Sequence, residues 1–290
     1  MEKGPGSLDT IEFNPKPWQI FYNRNPQILL WLFLIITLSS VSFAFIAPLI
    51  YKLSARIKAL PQKHLAVSII LGVFLFTSLL FVLDQGNSYT YTAKGIMSDM
   101  KILFKYPTQT FLILLLPVFI VGSLCISGIL LTAYSTSNLI PSHTNKEQLV
   151  DTFRQLRNDM NQFLLILGLL AASGSVITTS ALRNSINHFL IGSSPFELIP
   201  VEIVYVYSLL FTLFIVVAYI PAYYTMTNTG KKIAETLNPF SLSALPDWNT
   251  KKIILEEHLG LKATLKENLS SALIVISPLV SALISQLIGK

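Results

Sequence analysis

The chain has 290 residues, of which 52% are hydrophobic and only 12% are charged, and its formal net charge is +6. Soluble globular domains carry about 25% charged residues, so this composition excludes a water-soluble protein and indicates one that lies in a membrane. Its apolar runs are continuous and close to the ~20 residues that a membrane-spanning helix needs. We therefore predict an all-α integral membrane protein with five to six transmembrane helices and a small cytoplasmic helical hairpin.

The N-terminal part of the chain leads into a predicted transmembrane domain. Residues 1–25 precede the first apolar run, and we assign no function to them because residues 4–7, GPGS, resemble a cloning scar. Residues 26–225 are predicted to form five helices, because each apolar run is long enough to cross the hydrocarbon core. The predicted spans are residues 26–51, 65–83, 111–134, 160–182 and 203–224.

The fourth helix is predicted to extend into the cytoplasm at residues 145–160 and to run on to about residue 182. Apolar residues alternate at spacings of four and three from Leu149 to Leu170, which is the a/d pattern of a seam between helices. Small residues on another face allow either close helix packing or a water-facing wall of an oligomeric conduit. The predicted oligomer or packing seam comprises Leu149, Phe153, Leu156, Met160, Phe163, Gly168 and Ala172, and the predicted wall Ser175 and Thr179.

Residues 226–264 are predicted to form a cytoplasmic helical linker or hairpin. Asp247 follows Pro246 and is predicted to cap the N-terminus of a helix that Gly260 ends. Thr264 and Glu267 have the spacing of a capping box, so the last helix is predicted to begin near Leu265.

The C-terminal helix, residues 265–290, is predicted to be the sixth span because no charge lies between Asn268 and Gly289. Its serines recur on one face. Serine in a span often bonds its own i−4 carbonyl, so ordinary packing competes with a pore lining. Pro278 is expected to free a carbonyl near Ile274, which would offer a further oxygen to a polar axis. The predicted pore-lining residues on this helix are Glu267, Ser270, Ser277, Ser281 and Ser285.

Basic residues predict the orientation. Of the 21 lysines and arginines, 13 fall in residues 52–64, 138–159 and 225–267. Cytoplasmic loops carry an excess of such residues, so these regions are predicted to be cytoplasmic. The protein is accordingly predicted to be a multi-pass protein of the cell inner membrane, with residues 226–264 in the cytoplasm.

Catalytic signatures are absent from the sequence. The four histidines are isolated, and Cys125, the single cysteine, lies inside an apolar run. No zinc-protease, nucleophile-elbow, phosphate-loop or dinucleotide-binding motif occurs. We therefore expect no enzyme activity, no cofactor and no metal site. No dense basic run occurs, so nucleic-acid binding is not expected either.

In its overall organisation, and in the stretches GSVITTSALRN and LKENLSSALIVISPLVSALI, the chain resembles the membrane effectors of bacterial anti-phage (abortive-infection) systems. The resemblance implies a small multi-span protein with a modest cytoplasmic element. The function expected from the sequence is an oligomeric channel or pore-forming effector that disrupts the membrane. A non-conducting scaffold or receptor that docks a cytoplasmic partner, and a small-solute transporter, are the alternatives. Expected partners are membrane lipid, further copies of the chain, and a cytoplasmic regulatory protein or ligand.

Overall fold

The architecture is that of a helical bundle. The computed structural model describes residues 26–57, 70, 107–139, 146–174, 180–181, 183–184, 187, 202–239, 245–261 and 265–288. Within these ranges the predicted all-α class is confirmed. The long helices are α1 (Pro26–Ile57), α2 (Pro107–Ser137), α3 (Lys146–Gly174), α4 (Glu202–Leu237), α5 (Leu245–His258) and α6 (Leu265–Ile288).

Three helices of the described part are long and apolar enough to cross a membrane: Leu29–Ser54 in α1, Ile113–Ser137 in α2 and Val204–Leu237 in α4. A shorter apolar stretch, Ser271–Ile284, lies in α6. Of the predicted second span the structure describes only residue 70. A total of five to six spans therefore stays a prediction.

Helix α3 lies at the centre of the bundle, where it contacts α1, α2, α4 and α6. Its apolar seam provides the buried face. Phe153 is fully buried, and Leu156 and Phe163 are 1% and 2% exposed within a single chain. The seam, with its spacings of four and three residues, therefore belongs to the hydrophobic core of a single chain. A seam contact between subunits stays a prediction.

The C-terminal ends of α1, α2 and α4 meet the first half of α3 at one end of the bundle. Lys52 Nζ of α1 lies 3.6 Å from Asp159 Oδ1 of α3. The Thr136 hydroxyl of α2, which donates to the Thr132 carbonyl at 2.8 Å, lies 3.6 Å from Met226 Sδ of α4. We call this the α5 end, because α5 packs on α4 here. The described parts of the segments rich in lysine and arginine adjoin this end.

Helix α4 runs through one of the predicted domain boundaries. Helix α4 runs without interruption from Glu202 to Leu237, so the predicted division between residues 225 and 226 falls inside a helix. The helix continues because the next turns still have a face to bury: Met226 is 3% exposed, Ile233 is fully buried and Ala234 is 2% exposed.

The ends of α5 and α6 lie close to the positions predicted from the sequence. Helix α5 begins at Leu245, so Asp247 lies in its first turn and not at the N-cap position that the sequence predicted. Pro246 is well suited to such a first turn because its missing N–H would have no partner there. The predicted stop at Gly260 and the predicted start of α6 at Leu265 are confirmed. Thr264 lies outside the described residues.

Candidate ligand pocket at the α5 end

A cavity of about 450 Å³ opens at the α5 end between α3, α4, the start of α6 and the residues that follow α5. Its floor is apolar. Phe153 and Met160 come from α3, Met226 from α4 and Leu259 from the α5–α6 connection, and each is at most 3% exposed. Such a floor can accommodate the apolar part of a ligand.

Two tyrosines of α4, Tyr219 and Tyr223, form one wall, with ring centroids 5.6 Å apart. Ser271 of α6 lines the cavity beside Tyr219. Helices α4 and α6 pack together at this wall, so the wall depends on where α6 packs.

The mouth of the cavity is polar and carries two arginines of α3. Arg157 Nη1 donates to the Leu259 carbonyl at 2.8 Å, which ties α3 to the residues after α5. Arg154 Nη1 lies 3.4 Å from His258 Nε2. Asn158, Asn161 and Glu257 complete the polar lining.

Gly260 makes this arrangement possible in two ways. Its φ of +69° is the left-handed conformation that ends a helix. The Gly260 N–H donates to the Glu257 carbonyl at 2.8 Å and the Leu261 N–H to the Glu256 carbonyl at 2.7 Å, the two bonds of a Schellman motif. In addition, a Cβ atom at this position would overlap the Arg157 guanidinium group. Only glycine satisfies both conditions.

Helix α5 is held against α4 by a reciprocal pair of hydrogen bonds. Asn238 Nδ2 donates to the Trp248 carbonyl, and Trp248 Nε1 donates to the Asn238 carbonyl, each at 3.1 Å. Lys252 Nζ lies 4.9 Å from the centroid of the Trp248 ring, a cation–π contact. These contacts position the histidine and glutamate at the other end of α5 over the cavity.

Within one chain Ser277 of α6 lies against α3, and its assignment to a pore lining stays a prediction. Its hydroxyl lies 2.7 Å from the Ile274 carbonyl and 3.1 Å from the Gly168 carbonyl of α3. Pro278 has no N–H for the Ile274 carbonyl, as predicted. The hydroxyl of the adjacent Ser277 lies within hydrogen-bond distance of that carbonyl oxygen, so the oxygen has a partner within one chain. Ser281 is half-buried. The side chains of the other predicted lining residues, Glu267, Ser270, Ser285, Ser175 and Thr179, lie outside the described residues.

Gly168 sets the distance between α3 and α6. A Cβ atom there would lie 2.5 Å from Ile274 Cγ2 and 3.0 Å from the Ile274 carbonyl oxygen. Ala172, one turn further along, is half-buried. Gly168 of α3 thus makes a close contact with α6 within the chain. Such a contact is what the packing alternative for the small residues of α3 predicted.

The cavity was not predicted from the sequence. Arg154 and Arg157 lie three residues apart on one helix, which is a visible signal. Their partners come from residues 219–227 and 257–261, far along the chain, and no local pattern shows that these segments meet. No protein-family model, curated protein or solved structure matches the chain. What the fold and the site define is a class: a helical bundle with candidate membrane spans and a pocket at one end.

Proposed function

We propose that the protein is a membrane-embedded receptor in which a ligand at the α5 end changes how α5 and the start of α6 pack on the bundle. The observation that carries this proposal is the cavity of about 450 Å³, a volume typical of small-molecule sites. Its walls come both from α3 and α4 and from the residues around the α5–α6 connection. A ligand that contacts both parts better in one arrangement favours that arrangement.

The attachment of α5 supports this role. Its contact with α3 through His258 and Arg154 is exposed to solvent. Ile253 and Ile254 are 40% and 60% exposed, which gives α5 an apolar edge of the kind that protein partners cover. A helix held by such contacts can change position without unfolding the bundle.

The test uses covalent occupancy, so it needs no knowledge of the ligand. In a Cys125→Ala background, Asn161→Cys places a thiol on the cavity wall and Gln155→Cys places one on the same helix away from it. Each protein is modified with the same bulky maleimide. We expect modification at position 161 to raise amide hydrogen exchange in residues 245–261 at least several-fold, and modification at position 155 to leave it unchanged. Equal exchange in both proteins would contradict a receptor role.

An oligomeric channel or pore-forming effector is the second candidate, and the anti-phage role belongs to it. It is favoured by Ser281, a hydroxyl on an apolar helix that stays partly accessible within one chain. A pore formed by several copies would use this position, and Ser281→Leu would then abolish ion flux from liposomes that contain the purified protein. Absence of flux in the unaltered protein would leave only the receptor.

A further inference from the structure

The cavity at the α5 end combines cationic groups at its mouth with an apolar floor. Its ionisable groups are Arg154 and Arg157 of α3 and Glu257 and His258 of α5. The two arginines outweigh the single carboxylate. The mouth therefore attracts an anion, while the floor accepts an apolar or aromatic group.

The guanidinium group of Arg157 is positioned by the protein before a ligand arrives. One of its N–H groups donates to the Leu259 carbonyl, and the exposed Arg154 has its Nη1 atom 3.4 Å from His258 Nε2. Each guanidinium has five N–H donors in a planar fork. Further donors remain for the oxygens of a ligand, and the amides of Asn158 and Asn161 add more beside them. Several donors around one point suit the three or four oxygens of a phosphate group better than a single halide ion.

The depth of the cavity agrees with an amphiphilic ligand. Tyr219 and Met226 belong to the candidate span Val204–Leu237 of α4. Ser271 is the first residue of the apolar stretch of α6. The arginines lie in the polar first half of α3. The cavity thus lies where three helices pass from apolar to polar sequence, which is the level of lipid headgroups in a membrane.

We propose that this cavity binds a phosphate-bearing amphiphile, with the phosphate at Arg154 and Arg157 and the apolar part against Tyr219 and Met226. The inference rests on the proposed receptor function, for which it names the ligand class. The same chemistry occurs in the headgroup of an anionic phospholipid and in a free aryl or nucleoside phosphate. Both sources are therefore compared in the experiment.

The experiment measures direct binding to the full-length protein in a neutral detergent by titration calorimetry. The probes are dioctanoyl phosphatidylglycerol, with dioctanoylglycerol as its uncharged counterpart, and phenyl phosphate, with phenol as its counterpart. We expect saturable binding of at least one phosphate probe and none of its counterpart. Lipid binding alone identifies a headgroup site, and phenyl phosphate binding alone identifies a soluble ligand.

Arg154→Gln is the decisive variant, because Arg154 is exposed and its protein contact is the long one to His258. Lys231→Gln removes an equal charge from an exposed position of α4 that does not line the cavity. We expect the first change to weaken binding at least tenfold and the second to leave it unchanged. Equal losses in both variants, or no saturable binding of either phosphate probe, would overturn the proposal. Binding is measured without reference to movement of α5, so a bound phosphate with an immobile α5 would contradict only the receptor role.

Discussion

At the scale of single residues, Ser277 compensates for the proline that follows it. A proline at position 278 has no N–H for the Ile274 carbonyl, and the Ser277 hydroxyl lies 2.7 Å from that oxygen. Leaving a buried acceptor without a partner costs about 1–3 kcal/mol. The pair Ser277-Pro278 therefore acts as a unit that keeps α6 intact while it packs on α3.

This pairing predicts an energetic coupling. Ser277→Ala should lower the free energy of unfolding in detergent by about 1–3 kcal/mol when Pro278 is present. The same change should cost much less in a Pro278→Ala background, because the introduced alanine supplies the missing N–H. Ser42→Ala is the matched control, since that buried hydroxyl bonds the Leu38 carbonyl, which the backbone of residue 42 also serves. Equal losses with and without the proline would show that Ser277 does not serve the Ile274 carbonyl.

A second energetic coupling is expected between Gly260 and Arg157, because a side chain at position 260 would occupy the space of the Arg157 guanidinium group. A side chain in the left-handed region costs about 1–2 kcal/mol, and asparagine tolerates this region better than alanine does. Because any Cβ atom would overlap the Arg157 guanidinium group, Gly260→Asn should still destabilise the protein. Thermal unfolding of Gly260→Asn, of Arg157→Ala and of the double variant measures the effect. Arg157→Ala should cost less in the Gly260→Asn background than in the wild type; independent, additive effects would exclude the steric conflict.

At the scale of elements, the contact between α3 and α6 depends on a residue without a side chain. Gly168→Ala places a methyl group 2.5 Å from Ile274 Cγ2, and overpacking of this kind typically costs ~1–3 kcal/mol. We expect Gly168→Ala to lower the unfolding midpoint and to expose α6 to proteolysis. Gly174→Ala lies on the same helix, where its Cβ atom would meet only Phe211 Cζ at an ordinary 3.6 Å. That control should be neutral or slightly stabilising, and an equal loss at both positions would refute a close α3–α6 contact at Gly168.

Helix ends and the apolar face of α3 were predicted from the sequence, but the helices that pack on this face were not. The helix starts and stops near Leu265 and Gly260 were predicted because caps and left-handed glycines act locally. The seam from Leu149 to Leu170 was predicted as a contact because its periodicity is local as well. Its partners were not, since α1, α2, α4 and α6 come from distant parts of the chain. The contact of Ser277 with Gly168 was not predicted either, since the two residues lie more than a hundred positions apart in the chain.

At the scale of the whole molecule, the basic segments and the pocket adjoin the same end of the bundle. Lys52 and Asp159 join α1 to α3 there, and Arg157 joins α3 to the residues after α5. If α1, α2 and α4 cross the membrane, this end meets one aqueous phase and the start of α4 meets the other. The positive-inside rule predicts that the α5 end is cytoplasmic. We therefore propose a membrane-spanning protein with its pocket on the cytoplasmic side.

Cysteine labelling in intact cells tests this membrane topology. In a Cys125→Ala background, Glu202→Cys marks the start of α4 and Asn249→Cys marks α5, and both positions are exposed in the structure. With an impermeant maleimide, we predict labelling at position 202 but not at position 249 in intact cells, and labelling at position 249 once the cells are opened. Labelling of both positions in intact cells, or of position 249 alone, would contradict this topology.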